Sequence, residues 1–172
     1  MVVLRATQKV LWSLPETAKA GDVSETALGD WYVNRVVVDR QPLLLFVSEK
    51  SLLAALAPAR SVKGLAKWFP EVVFDRLKRM NVDLPLIGSE LEAMDVVRVG
   101  RTQDRSVTGQ MVDFAKTLPY LLPESGWGTA ELRKAEDLLA RTPCRREKTI
   151  FPEDEGPRLL QVHAATKGAA CN

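Results

Sequence analysis

The sharpest pattern of polar and apolar positions runs from Asp30 to Ser48, DWYVNRVVVDRQPLLLFVS. Trp31–Asp39 is rich in aromatic and β-branched residues, which suit a pleated, half-buried surface. Strand side chains alternate, so Trp31, Val33, Arg35 and Val37 share one face and Tyr32, Asn34, Val36 and Val38 the other. The segment DRQP breaks the pattern, and Leu43–Ser48 follows as an apolar run. Two strands around a four-residue break predict an antiparallel hairpin over 30–48. The apolar run predicts a second strand covered on both faces.

Other segments carry shorter signals. VVLRA (Val2–Ala6) reads as a strand, and TQKVLWSL as a short helix with Thr7 as N-cap and Val10, Leu11 and Leu14 inward. Residues 15–29 are polar, contain Pro15, Gly21 and Gly29, and read as a loop. SEKSLLAAL reads as a helix capped by Ser48 and ended by Pro58, with PARSV as a short strand after it. Pro70 is tolerated in the first turn of a helix but not its interior, which predicts a short helix before it and a longer one over Pro70–Met80. PLIGSELEAM is a further helix, with Ile87, Leu91 and Met94 inward, and Val96–Arg101 a strand. Asp104 then caps a helix whose apolar face is Val107, Met111, Phe114, Ala115 and Leu118. Gly109 inside that helix costs about 1 kcal/mol relative to alanine, which implies a close neighbour. GWGTAELRKAEDLLART predicts a last helix, started at Thr129 and burying Leu132, Ala135, Leu138 and Leu139. Beyond Thr142 the chain reads as charged and irregular, with a frayed end at ATKGAACN. The sum is an α+β fold: one mixed sheet of about four or five strands packed by several helices. Residues 1–123 form its core, and 124–172 a C-terminal helix and irregular tail, joined through 124–128.

Composition narrows the setting. The chain has 172 residues, 46% of them hydrophobic and 27% charged, with a net charge of +2. A domain of this length buries enough surface to fold without metal or disulfide. The near-balanced charge points away from strong nucleic-acid steering. Two cysteines, Cys144 and Cys171, make no disulfide scaffold and suit a reducing cytoplasm. The N-terminus, with Arg5 and Lys9 in its apolar stretch, has no signal-peptide form, and no run approaches the ~20 apolar residues of a membrane span.

Candidate chemistry is sparse. One histidine and two cysteines do not make a closed zinc set, and no carboxylate signature for magnesium or calcium appears, so no metal or cofactor is expected. No nucleophile elbow, phosphate loop or dinucleotide fingerprint is present. His163 reads as an exposed surface histidine. Cys144 precedes Arg145 and Arg146, cations that could favour a thiolate, but no histidine stands near it in sequence. Arg60, Lys63, Lys67, Arg76, Lys78 and Arg79 make a basic stretch over 60–79 that reads as a solvated face. A helix-turn-helix there is disfavoured, because the following helix offers Ser89, Glu90 and Glu92 and no cation. Two polar groups stand out as ligand-binding candidates. Asn34 and Arg35 interrupt an apolar strand, where Arg35 either reaches solvent from an edge or faces an anion. Asp104, Arg105 and Ser106 crowd a helix N-terminus, which favours anions.

The stretches LRATQKVL, GDWYVNRVVVDRQPLLLFVS and TQDRSVTGQMVDFAKTLPYLLP, in that order, resemble a bacterial family known only as a domain of unknown function. The likeness covers about residues 1–123. It rests on Thr7, Lys9, Leu11, Trp31, Asn34, Arg35, the break at Asp39 and Arg40, and Asp104, Arg105 and Ser106. It implies one α+β domain and supplies no catalytic residue. The expectation is a non-enzymatic cytoplasmic binding or regulatory module that acts on a protein partner or on a second copy as a homodimer. The alternatives are an anionic small-molecule binder or enzyme using Asn34, Arg35, Asp104, Arg105 and Ser106, and nucleic-acid binding through 60–79.

Overall fold

The computed structural model describes residues 1–59 and 62–170. Strands β1 (Val2–Ala6), β2 (Trp31–Val38), β3 (Gln41–Ser48), β4 (Ala54–Pro58) and β5 (Val97–Arg101) form one mixed sheet in the order β4-β3-β2-β1-β5. β1 runs parallel to both β2 and β5, while β2, β3 and β4 are successively antiparallel. The fold is α+β, as the patterns predict.

The hairpin is tighter than expected. Its turn is two residues, not four: Asp39 and Arg40 have φ of 48° and 65°, and Gln41 and Pro42 already pair in β3. Two left-handed residues give a turn whose twist matches that of the strands it joins. Pro42 fits because its main chain faces β4, where its carbonyl accepts from Ala59 N at 3.1 Å, so no bond to β2 is lost.

Strand alternation sorts the side chains into two cores. Leu4, Trp31, Val33, Leu44 and Phe46 face α1 (Gln8–Leu11), α2 (Leu65–Arg79) and α3 (Leu84–Glu92) through Val10, Phe69, Val73, Leu77 and Ile87. Tyr32, Leu43, Leu45 and Val47 face α4 (Arg105–Leu121) and α5 (Thr129–Ala140) through Val107, Met111, Phe114, Leu132 and Leu139. Leu43–Val47 of β3 are fully buried, as expected of a strand covered twice.

Several expectations are corrected. SLLAAL is not a helix: a turn with Leu52 at φ 56° leads into strand β4, overriding the helix propensity of its alanines. Ser48 caps no helix; its hydroxyl meets that of Ser51 at 2.6 Å and accepts from Leu53 N inside the turn. Of PARSV, Pro58 ends β4, and Arg60 and Ser61 lie outside the described residues. Pro70 does not divide two helices, because α2 runs through it. Phe69, beside Pro70, stacks on Phe46 at 5.2 Å and meets the edge of Trp31 at 5.6 Å, which anchors the helix across the missing N–H. Leu138 is exposed, not inward. The start of α5 is held by the Glu131 carboxylate, which accepts from Gly128 N at 2.7 Å, rather than by Thr129. A Cβ added at Gly109 would meet nothing within 4 Å, so no close neighbour explains that glycine. The region after Thr142 is regular: strands β6 (Cys144–Arg145) and β7 (Thr149–Ile150) pair, and α6 (Pro152–Ala170) follows. Pro152 at its first position and Glu153, Asp154 and Glu155 in its first turn suit a helix N-terminus. Leu160 of α6 belongs to the first core, while Cys144 and Ile150 belong to the second.

Both outer edges of the sheet are occupied at their centres. At β4, Leu56 N donates to the buried Glu136 carboxylate at 2.6 Å, and the Ala54 carbonyl accepts from Arg76 Nε at 3.1 Å. Pro58 contributes no donor there. At β5, the Val99 carbonyl accepts from Thr17 N and Ala18 N, each at 2.8 Å, and Val99 N donates to the Thr17 hydroxyl. These contacts occupy groups that would otherwise template another strand.

Candidate functional site

One stretch of strand edge lies inside the sheet, where neighbouring strands differ in length. β1 ends at Ala6, opposite Val33 of β2. Thr7 N still donates to the Val33 carbonyl, but the Thr7 carbonyl turns to accept from Val10 N and Leu11 N, starting α1. β2 continues from Asn34 to Val38, paired with β3 alone. Since Val33 directs its carbonyl to β1, Arg35 and Val37 turn their main-chain N–H and C=O groups the same way. Among the described residues, no main-chain group pairs with them.

A depression of about 550 Å³ opens along this edge, lined by Lys9, Trp12, Asn34, Arg35, Val36, Val37 and Ala115. Trp12, which ends α1, is 77% exposed and Val37 57%, large apolar areas left in water beside free strand groups. Among the described residues, Lys9 and Arg35 have no carboxylate partner. Asn34 accepts from the Thr7 hydroxyl at 3.0 Å through its side-chain oxygen, which leaves its NH₂ group to donate elsewhere. Arg35 is exposed and reaches solvent, on a strand that is central at its start and an edge at its end.

The remaining candidates from the sequence sit elsewhere. Asp104 caps α4 as expected, its Oδ1 accepting from Ser106 N at 2.7 Å and Val107 N at 3.3 Å. Arg105 and Ser106 are exposed in the first turn of α4 and line neither depression described here. Asp104 lines a second, open cleft of about 670 Å³ with Glu49, Lys50, Arg146, Glu147, Lys148, Ile150, Glu155 and Leu159. Arg146 crosses it, pairing with Asp104 Oδ2 at 3.2 Å and donating to the Glu49 carbonyl. Partial burial raises the Asp104 carboxyl pKa, but the Ser106 and Val107 N–H groups and Arg146 outweigh this and hold it below its ordinary value. Behind the cleft, Asp104 N donates to the Tyr32 hydroxyl at 3.0 Å. Burial, joined by the charges of Glu49, Asp104 and Asp30, raises the pKa of that phenol. The Glu49 carboxylate accepts from Asp30 N, and Asp30 forms a buried pair with Arg5 at 2.6 Å. In the cleft the carboxylates stand among the cations and Arg146 pairs with Asp104, whereas the lining of the β2 edge holds two cations and no carboxylate.

Other expectations change in the structure. Cys144 is buried, which pushes its thiol up to about 11, against a thiolate role. His163 is half-buried on α6, not an open surface residue; burial and then Lys167 and Lys50 lower its pKa. The basic stretch does not form one solvated face. Arg76 is buried and paired with Asp137, and Arg79 is paired with Asp75 and Glu136. Arg60 and Cys171 lie outside the described residues. Among the described residues, no three His, Cys, Asp or Glu side chains gather as a metal site, and no helix is long and apolar enough to cross a membrane. Sequence reasoning missed Lys9, Trp12 and Val37 as site residues. Trp12 had left a signal, an aromatic outside the helical face of Val10, Leu11 and Leu14.

Fold and edge together define a class: an α+β domain built on a stepped mixed sheet whose outer edges are covered at their centres and whose inner edge is open among the described residues. The chain belongs to the family described as a domain of unknown function (DUF6933), whose model matches residues 3–155. That span takes in α5 and the β6–β7 hairpin, beyond the 1–123 of the resemblance. No curated protein matches the chain.

Proposed function

We propose that this protein is a non-enzymatic binding module that takes an extended polypeptide segment along the open edge of β2. One observation carries the reading: Arg35 and Val37 present strand groups with no main-chain partner among the described residues, beside exposed Trp12, while the centres of the β4 and β5 edges are occupied. Strand addition uses such an edge for main-chain bonds and adjacent side-chain pockets for selectivity. Asn34–Val38 offers about 17 Å of edge at the usual rise per residue, room for a short strand. The buried free thiol of Cys144 supports a reducing, cytoplasmic setting, and the resemblance supports a bacterial one. The partner is a protein.

The test is selection of binders from a displayed library of extended peptides. Bound peptides are expected to slow amide exchange at Arg35 and Val37. N-methylation of alternate peptide amides should abolish binding when it falls on those facing β2 and be tolerated on the others. Binders indifferent to N-methylation in both registers, or a library with no binders, would refute the reading.

A further inference from the structure

Resting on that reading, we infer that the segment taken at the β2 edge is an acidic strand of another protein, carrying Asp or Glu at alternate positions, and not a second copy of this chain. The depression's lining includes two cations, Lys9 and Arg35, and no carboxylate. Neither cation has a carboxylate partner among the described residues, so an incoming acidic side chain displaces no existing pair. Asn34 lies on the opposite face of β2 from Arg35, where its free NH₂ group is a donor to a polar side chain at an intervening position. Val36 and Ala115 suit the intervening side chains of the same strand, while Val37 shares the face of Arg35 and Trp12 ends the helix that carries Lys9.

The charge that favours an acidic strand disfavours self-pairing. Two copies meeting edge to edge about a two-fold axis near Val36 would set each Arg35 opposite the partner's Val37. The two Arg35 residues would then lie on a diagonal of about 7–8 Å, with each Lys9 adding to the repulsion.

The experiment uses the full chain and three blocked eight-residue peptides of alternating threonine and valine. Two threonines on one face are replaced by glutamate, serine or lysine. Affinity is read by fluorescence anisotropy, and amide exchange at Arg35 and Val37 is followed by NMR. The glutamate peptide should bind about tenfold more tightly than the lysine peptide at low salt, with serine between. The preference should shrink toward parity in about 1 M salt. It should reverse in the double variant Lys9→Glu/Arg35→Glu, whose positions are exposed and outside both cores. Equal binding of all three with slowed exchange at Arg35 and Val37 would overturn the acidic partner and leave the docking edge standing. Binding without slowed exchange there would overturn the edge itself. A chain that binds no peptide and sediments as a dimer, made monomeric by Val37→Lys, would overturn the inference in favour of a second copy. A monomer that binds none of the three would overturn both readings.

Discussion

The side-chain cover on the β4 edge rests on Glu136 and Arg76, and removal of Glu136 has a size and sign that follow from the geometry. Glu136 is 2% exposed. One carboxylate oxygen accepts from Leu56 N at 2.6 Å, and the other pairs with Arg79. Burial pushes this carboxyl up, against the pull of Arg79 and Arg76 toward the charged form. In Glu136→Ala the Leu56 N–H loses its acceptor and the Arg79 guanidinium loses its buried partner. Breaking a fully buried pair from one side costs about 3–5 kcal/mol, but Arg79 is partly exposed and keeps Asp75, so the loss should be about 2–3 kcal/mol, most of it from the stranded Leu56 N–H. With a urea dependence of about 2 kcal/mol per molar, the unfolding midpoint should fall by about 1 M. The double variant Glu136→Met/Arg79→Met isolates the cause. It removes both charges and leaves chiefly the unpaired Leu56 N–H, worth about 1–3 kcal/mol. Asp75, which Arg79 would abandon, keeps Arg133 at 3.0 Å. Arg79→Met should therefore destabilise the native chain, where it strands the buried Glu136, and cost much less in the Glu136→Met chain, where Arg79 loses only the half-exposed Asp75, a difference readable in four urea titrations. A loss below about 1 kcal/mol in Glu136→Ala, or an Arg79→Met cost equal in both backgrounds, would refute the reasoning.

Three further outcomes follow. Gly109 has open space around its α-carbon, so Gly109→Ala should stabilise by about 0.5–1 kcal/mol, seen as a melting midpoint about 1–4 °C higher. Asp104 has a lowered pKa, so its contribution is present above its unfolded value and is lost as pH falls through the native one; Asp104→Ala should cost about 1 kcal/mol at pH 7 and progressively less in acid, by urea midpoints from pH 7 to pH 2. Glu90 has the opposite sign: burial raises its pKa despite the Ala27 and Leu28 N–H groups, so stability falls as pH rises from its ordinary 4.5 through the raised value, and Glu90→Gln should flatten that slope in the same titration from pH 4 to pH 7.

What could be read in the sequence was what depends on neighbours in the chain. The cap at Asp104 is a contact across two or three residues, and the β2–β3 hairpin joins adjacent strands, so both left local patterns. The strand β4 did not. Its alanines favour a helix in isolation, and it is a strand because β3, Arg76 and Glu136 bind its main chain from both sides. The run of α2 through Pro70 likewise depends on aromatic partners from β2 and β3. Of the candidate residues, Asn34 and Arg35 reached the open edge and Asp104 a different cleft, while Arg105 and Ser106 line neither. The open edge was illegible for a simple reason. It is the difference in length between two strands that meet only in parallel, after a connection of Thr7–Asp30.

The two-residue turn at Asp39 and Arg40 bears on how the chain assembles during synthesis. A hairpin of that kind closes on itself within microseconds, long before distant segments are made. Its second strand, Leu43–Val47, is covered in the finished fold by α2 on one side and by α4 and α5 on the other, all from later in the chain. At a synthesis rate of roughly 5–20 residues per second, the hairpin emerges seconds before its last cover. Through that interval an apolar strand stands with both faces in water, and the nascent chain is expected to be most prone to association between Ser48 leaving the ribosome and α5 docking.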